Sequence, residues 1–221
     1  MLQLHRKSPH YDIGSSPVHI TYRLAGSIPK GYLKKLRAKK EKQLALIDLA
    51  CGQQEMSSSE RRIIQAKRRE VFTELMVAED KYLHGKSTGP YYLEVPEIAK
   101  EVIESWIYLH QEGVIFLYAI CIMSNHVHIV VGNPNPTGMV SIGKLMKRTK
   151  SYTSGLANKI LGRTGNAFWE DYYFDTTIRR GRFIRCMWYV LNNPVKAGLC
   201  SSWQDWPHTW VHPDYVGLFI G

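Results

Sequence analysis

The stretch Val114-Ile-Phe-Leu-Tyr-Ala-Ile-Cys-Ile-Met123-Ser-Asn-His126-Val-His128-Ile-Val-Val131 decides the fold. Its first ten residues are apolar without a break, the composition of an interior strand. Ser124-Asn125 then reads as a turn, and the β-branched run behind it completes an antiparallel hairpin. Along the second strand, residues two apart share a face. His126 and His128 therefore point the same way, with Val130 continuing their row, while Val127, Ile129 and Val131 turn to the opposite side and a core. Two convergent imidazoles on a rigid strand suit a divalent-metal half-site. A bare His-x-His pair also describes two polar residues on the open face of a sheet. Weight comes from further along, where Tyr189 and Asn193 in Tyr189-Val-Leu-Asn-Asn193-Pro-Val-Lys-Ala-Gly198 stand at i and i+4 on an expected helix.

Working outward from the hairpin, Pro96 opens a helix whose apolar residues Ile98, Val102, Ile103, Trp106 and Leu109 keep helical spacing as far as Gly113. Gly132-Asn-Pro-Asn-Pro136 ends the second strand, and a basic helix follows over roughly 139–161. Tyr173-Phe-Asp-Thr-Thr-Ile178 is a short strand candidate. The last helix runs from Arg182 to Asn193 and is stopped by Pro194. Upstream, Val18-His-Ile-Thr-Tyr-Arg-Leu24 alternates as a strand does and closes at Ala25-Gly26-Ser27, after a polar arm over residues 1–16. Residues 31–50 are rich in Lys, Leu and Ala, and Ser57 with Glu60 forms a capping-box pattern before a second helical run to about His84. These two helices read as an inserted, solvent-exposed hairpin at about 31–84, joined to the rest by the linker Gly85-Lys-Ser-Thr-Gly89-Pro90. Without that insertion the order is β-α-β-β-α-β followed by a helix. This is an α+β, ferredoxin-like sheet with helices on one face and the other face free to carry a site. A single domain over 1–221 is expected.

Composition narrows the function. Of the 221 residues, 44% are hydrophobic and 22% charged, which are the proportions of an ordinary globular protein. The longest apolar run, Val114 to Met123, is too short to span a bilayer, and no leader pattern is seen, so a cytoplasmic protein without membrane contact is expected. Cys51, Cys121, Cys186 and Cys200 lack Cys-x-x-Cys spacing and read as reduced, partly buried thiols. The net charge is +10, and its distribution says more than its total. From Asn133 to Arg163 there is no acidic residue beside Lys144, Lys147, Arg148, Lys150, Lys159 and Arg163. From Thr176 to Gln204 there is none beside Arg179, Arg180, Arg182, Arg185 and Lys196. Tyr152, Phe168, Trp169, Tyr172, Tyr173, Phe183 and Trp188 lie in or beside these stretches, so cationic contact with phosphates and stacking on unpaired bases both point to nucleic acid. Lys144, Lys147, Arg148, Lys150, Tyr152, Arg179, Arg180, Arg182 and Lys196 are the DNA-contact candidates.

Met123-Ser-Asn-His-Val-His-Ile-Val-Val131 resembles the His-hydrophobic-His motif of the single-tyrosine DNA transposases known as HUH, with Ser124 where that family commonly has proline. Phe168-Trp-Glu-Asp-Tyr-Tyr-Phe-Asp175 and Tyr189-Val-Leu-Asn-Asn-Pro-Val-Lys-Ala-Gly-Leu199 resemble the C-terminal signature of its REP-associated branch. The resemblance covers roughly residues 17–208; the helical insertion at 31–84 departs from shorter relatives. It implies that His126 and His128 are metal ligands, that Tyr189 is the nucleophile, and that Asn193 is the third ligand where related transposases often use glutamine. It also implies cutting and rejoining of single-stranded DNA at imperfect palindromes, by a monomer or homodimer.

The residue chemistry agrees. A phenol with a pKa of about 10 is mostly protonated at neutral pH and needs help to attack a phosphodiester. Two histidines and an asparagine leave positions open for phosphate oxygens and water on Mg2+ or Mn2+, and ligand type alone does not separate these from zinc. Tyr172 and Tyr173 are rival nucleophiles disfavoured by the neighbouring Glu170 and Asp171. His19, His84, His110, His208 and His212 lack partners at ligand spacing and read as ordinary surface or core histidines. A metal-dependent strand transferase forming a 5′-phosphotyrosine is the first reading. A non-catalytic binder of hairpin or single-stranded DNA is the second, and a metal hydrolase releasing free ends is a weaker third.

Overall fold

The computed structural model describes residues 12–51, 56–85, 88–135 and 137–220. The first part of the expected arm (1–11), the middle of the 85–90 linker, Pro136 and the Cys51 side chain lie outside this description. The chain divides into two compact units: Ile28–Thr88, and the parts up to Ser27 and from Gly89 onward.

In the larger unit, five strands form an antiparallel sheet in the order β4-β1-β3-β2-β5. The strands are β1 (Val18–Leu24), β2 (Phe116–Ile122), β3 (His126–Gly132), β4 (Trp169–Thr177) and β5 (Thr209–Val211). The first four carry the expected ferredoxin-like connections, through α3 (Pro96–Gln111) and α4 (Ile142–Ile160). The hairpin closes at Ser124-Asn125, where the Met123 amide donates to the His126 carbonyl at 2.8 Å.

Period-2 patterning sets what each face meets. Val18, Ile20, Tyr22 and Leu24 of β1 join Val127, Ile129 and Val131 of β3 in the main core, under Ile98, Val102, Trp106 and Leu109 of α3 and Ile142, Leu145 and Met146 of α4. Polar pins lock these layers: Trp106 Nε1 donates to the Tyr22 hydroxyl at 3.0 Å, and Trp169 Nε1 to Thr153 Oγ1 at 2.9 Å. Burial raises the Tyr22 phenol far above its ordinary pKa, against the lowering effect of the Trp106 donor.

The second face of the sheet is covered, contrary to the expectation that it stays open. Helix α5 (Phe183–Leu191) lays Met187, Val190 and Leu191 on Ala119, Cys121 and Val130, and Phe219 and Trp203 from the C-terminal segment complete this second core. The physical reason lies in α5 itself, whose Phe-Ile-Arg-Cys-Met-Trp-Tyr-Val-Leu sequence is too apolar to stand in water. Trp206 Nε1 donates to the Ile122 carbonyl at 2.8 Å and Trp203 Nε1 to the Phe219 carbonyl at 3.2 Å, which fastens the C-terminal segment down. Burial raises the thiols of Cys121 and Cys186 to about 12, and Cys121, Cys186 and Cys200 are unbridged.

Other differences are local. The described end of the arm is not loose: Ile13 is buried and pairs with Val140 through backbone bonds of 2.8 and 3.0 Å. Strand β4 starts at Trp169, ahead of the expected 173, because Glu170 and Asp171 sit on an edge strand where charged side chains reach water. Pro194 does not end the helical path. Asn192 caps α5, and a short turn, α6 (Asn193–Lys196), starts with the proline in its first positions.

The smaller unit is an antiparallel helical hairpin of α1 (Lys30–Cys51) and α2 (Ser58–Gly85). Its capping box forms as read: the Ser57 amide donates to Glu60 Oε2 at 2.8 Å, and the Glu60 amide to Ser57 Oγ at 3.3 Å. Gln43 donates to Glu74 at 3.1 Å, Arg68 pairs with Asp48, and Asp80 lies 3.7 Å from His84 one turn on. A small cluster of Ile28, Leu33 and Leu83 with Tyr32 and Tyr82 holds the base. Among the described residues no helix is long and apolar enough to cross a membrane.

Candidate active site

The register of the sheet assembles the site. Thr21 pairs with His128 and Arg23 with His126, so the polar residues of β1 (His19, Thr21, Arg23) share a face with both imidazoles. On β2, Cys121 pairs with His128 and continues the same row. This face lies beneath α5, and both histidines are 1% exposed.

Each imidazole is held through Nδ1. His126 Nδ1 is 2.7 Å from Asn125 Oδ1, while His128 Nδ1 is 3.1 Å from Thr21 Oγ1 and 3.2 Å from His19 Nε2. The two rings stand edge to face at 4.8 Å. Anchoring at Nδ1 is the arrangement of histidines that coordinate through Nε2.

Helix α5 brings Tyr189 to this cluster. Its ring lies 5.7 Å from the rings of His128 and His19, edge to face against both. Above it, the Lys196 ammonium sits 4.2 Å from the ring centroid. Asn193, fully buried, turns its amide back onto the helix, with Nδ2 donating to the carbonyls of Tyr189 at 2.9 Å and Val190 at 3.3 Å. Val190 needs that donor because its usual partner four residues on is Pro194, which has no N–H. With the amide so oriented, Asn193 Oδ1 is buried and accepts no hydrogen bond among the described residues. Two imidazoles anchored at Nδ1 and a neutral amide oxygen are a donor set that fits a hard divalent ion.

The rival tyrosines separate by face. Tyr173 points into the main core, where burial first and then Asp175 and Asp12 raise its phenol to about 12. Tyr172 is on the site's side of β4, ring to ring with Phe174 at 4.8 Å.

Residues 91–193 match the family model described as "Transposase IS200 like". Over this segment, a little under half of the chain, the protein is similar to that family. The match contains His126, His128, Tyr189 and Asn193 and leaves out β1 and Lys196. No curated protein matches the chain. Among solved structures, a REP-associated tyrosine transposase bound to a REP hairpin superposes with a TM-score of 0.56 and 13% identity, over 97% of this chain and 88% of that one. That structure shares the fold of this chain.

The DNA-contact candidates of this chain fall in separate places. Lys144, Lys147, Arg148 and Tyr152 are exposed along one side of α4, which packs on the sheet face opposite the histidines. Arg179, Arg180 and Arg182 are exposed in the turn that leads into α5. Lys150 is turned inward: its ammonium donates to the carbonyls of Glu170 (2.7 Å), Asp171 (3.1 Å) and Tyr172 (3.4 Å), and burial lowers its pKa to about 8. Lys196 joins Tyr189 rather than an outer basic face. Sequence spacing missed His19, Thr21 and Asn125. Their one available signal was the polar row His19-Thr21-Arg23 alternating with apolar residues in β1.

Proposed function

We propose that this chain is a transposase of the IS200-like kind that cuts and rejoins single-stranded DNA beside a hairpin, with Tyr189 as nucleophile and His126, His128 and Asn193 as metal ligands. The observation that supports this best is the packing of half-buried Tyr189 against the buried His128 and His19, with the exposed Lys196 ammonium over its ring. The Tyr189 phenol loses its proton and its oxygen bonds to phosphorus. The bond from phosphorus to the departing sugar 3′-oxygen breaks, and that oxygen takes up a proton, giving a 5′-phosphotyrosine and a free 3′-hydroxyl. One phosphoester replaces another, so a 3′-hydroxyl can later attack the tyrosyl ester and rejoin DNA without ATP. Mg2+ or Mn2+ held by His126, His128 and Asn193 would polarise the scissile phosphate and neutralise charge that develops on it. The Lys196 ammonium, 4.2 Å from the ring centroid, offers positive charge beside the reacting oxygen and phosphate.

Hairpin DNA is the proposed partner because the structurally similar transposase holds a REP hairpin and because this chain presents acid-free basic surfaces beside its exposed Tyr152. The test is cleavage of a labelled oligonucleotide carrying a hairpin with a single-stranded flank, with and without Mn2+. His126→Ala should abolish metal-dependent cleavage and leave DNA affinity within a few fold, since phosphate contacts dominate affinity. Unchanged cleavage by that variant would remove His126 from the site. Hairpin binding by the unmodified protein with no cleavage on any substrate would favour a binder acting by occupancy.

A further inference from the structure

His19 on β1 lies outside the matched segment and packs against both His128 and Tyr189. It is 5% exposed on β1 and stacks parallel to His128, with ring centroids 5.4 Å apart and an interplanar angle of 11°. Tyr189 stands edge to face against this stacked pair, its ring 5.7 Å from that of His19 and 5.7 Å from that of His128. Beside it, Thr21, 6% exposed, places Oγ1 3.1 Å from His128 Nδ1 and 3.4 Å from His19 Nε2, and the two ring nitrogens are 3.2 Å apart. Three polar atoms thus form a triangle at Nδ1 of His128, on the side of the ring away from Nε2.

We infer that His19 and Thr21 are positioning residues that hold His128 in its metal-binding tautomer and couple its placement to that of Tyr189. This rests on the reading of His126 and His128 as a metal half-site. A metal taken by His128 Nε2 requires the ring proton to be on Nδ1. That proton then has acceptors already in place: Thr21 Oγ1 receives it, and the Thr21 hydroxyl donates in turn to His19 Nε2, which puts the proton of His19 on its own Nδ1. An acceptor on the second nitrogen raises the basicity of a coordinating histidine and fixes its ring plane. Because the His19 ring is also the wall against which Tyr189 rests, a shift of His19 displaces ligand and nucleophile together. Strand β1 thus places the buried polar residues His19 and Thr21 on the face that carries both imidazoles.

The test uses the full chain without DNA and reads Mn2+ binding by electron paramagnetic resonance, alongside the melting temperature in EDTA. His19→Phe keeps the ring and removes the acceptor; Thr21→Val keeps the shape and removes the hydroxyl; His19→Gln keeps an acceptor. His19→Phe should weaken Mn2+ binding about 10- to 100-fold, the usual effect of losing a partner behind a coordinating histidine. Thr21→Val should weaken it in the same direction, and His19→Gln should recover most of the loss. In hairpin cleavage, His19→Phe should need more Mn2+ for half-maximal rate, and His19→Ala, which also removes the ring beside Tyr189, should stay slower even at saturation. Should His19→Phe fail to fold, the Thr21→Val and His19→Gln pair decides the matter. A lowered melting temperature with unchanged Mn2+ affinity makes the pair merely structural and overturns the inference. If His128→Ala also leaves Mn2+ binding unchanged, the metal site itself fails and takes the inference with it; loss in His128→Ala alone overturns only the role of His19 and Thr21.

Discussion

Replacing Asn193 separates two roles that one amide plays in the site. Its nitrogen donates to the carbonyls of Tyr189 and Val190, and its buried oxygen is the proposed metal ligand. Asn193→Ala removes both. The Val190 carbonyl then loses a donor that Pro194 cannot replace, and the Tyr189 carbonyl loses another, for a combined cost of roughly 2 to 3 kcal/mol. In a chain of this size that lowers the melting temperature by roughly 5 to 10 °C. Asn193→Asp keeps the oxygen but has no donor, and sets a buried carboxylate against two carbonyls. In EDTA it should melt at least as low as the alanine variant. In Mn2+ at about 100 times the dissociation constant, binding should return roughly 2.7 kcal/mol to the aspartate variant and nothing to the alanine variant. Thermal unfolding of the three proteins with EDTA and with Mn2+ reads all of this. An alanine variant that melts with the unmodified protein in EDTA refutes the hydrogen-bond accounting, and an aspartate variant that gains nothing from Mn2+ refutes the ligand role.

Two other expectations follow from buried and exposed charge. Burial lowers Lys150 to about 8, so between pH 8 and the unfolded value near ~10.4 the unfolded chain binds more protons than the folded one, and this group's contribution to stability rises with pH. Lys150→Met should remove a rise of at most about 2 kcal/mol between pH 8 and 10, read as the difference between the two proteins in urea unfolding; parallel pH profiles would show that Lys150 titrates normally. On the far side of the sheet, Lys144→Ala with Lys147→Ala should weaken hairpin binding and flatten its salt dependence by about two phosphate contacts, leaving the Mn2+ requirement of cleavage untouched. An unaltered salt slope would remove α4 from the DNA interface.

Most of the sheet was legible because its strands alternate or are continuously apolar, and those two patterns have few other solutions. Val18–Leu24 falls on its expected bounds, and the hairpin at Ser124-Asn125 sets the face of both histidines. What was not legible depends on partners distant in sequence. Strand β5 has only Thr209, Trp210 and Val211, too few for a period, and exists because β2 offers an edge. The closure of the second face depends on Met187, Val190 and Leu191 of α5 meeting Ala119, Cys121 and Val130, which spacing within α5 cannot reveal. His19 looked isolated for the same reason. Its partner lies 109 residues away and is brought near only by antiparallel pairing of β1 with β3. Lys150 shows the converse: a lysine in an acid-free run reads as a phosphate contact until the carbonyls of β4 are seen around its ammonium.

The central claim is that the Tyr189 oxygen becomes bonded to DNA phosphorus. Incubation of the protein with a labelled hairpin oligonucleotide and Mn2+, followed by denaturation and mass spectrometry of the proteolysed adduct, tests it most directly. The account predicts a covalent product that survives denaturation, with the nucleotide on the peptide containing Tyr189, lost in Tyr189→Phe and retained in Tyr172→Phe and Tyr173→Phe. An adduct that persists in Tyr189→Phe, or one mapped to Tyr172 or Tyr173, would contradict it.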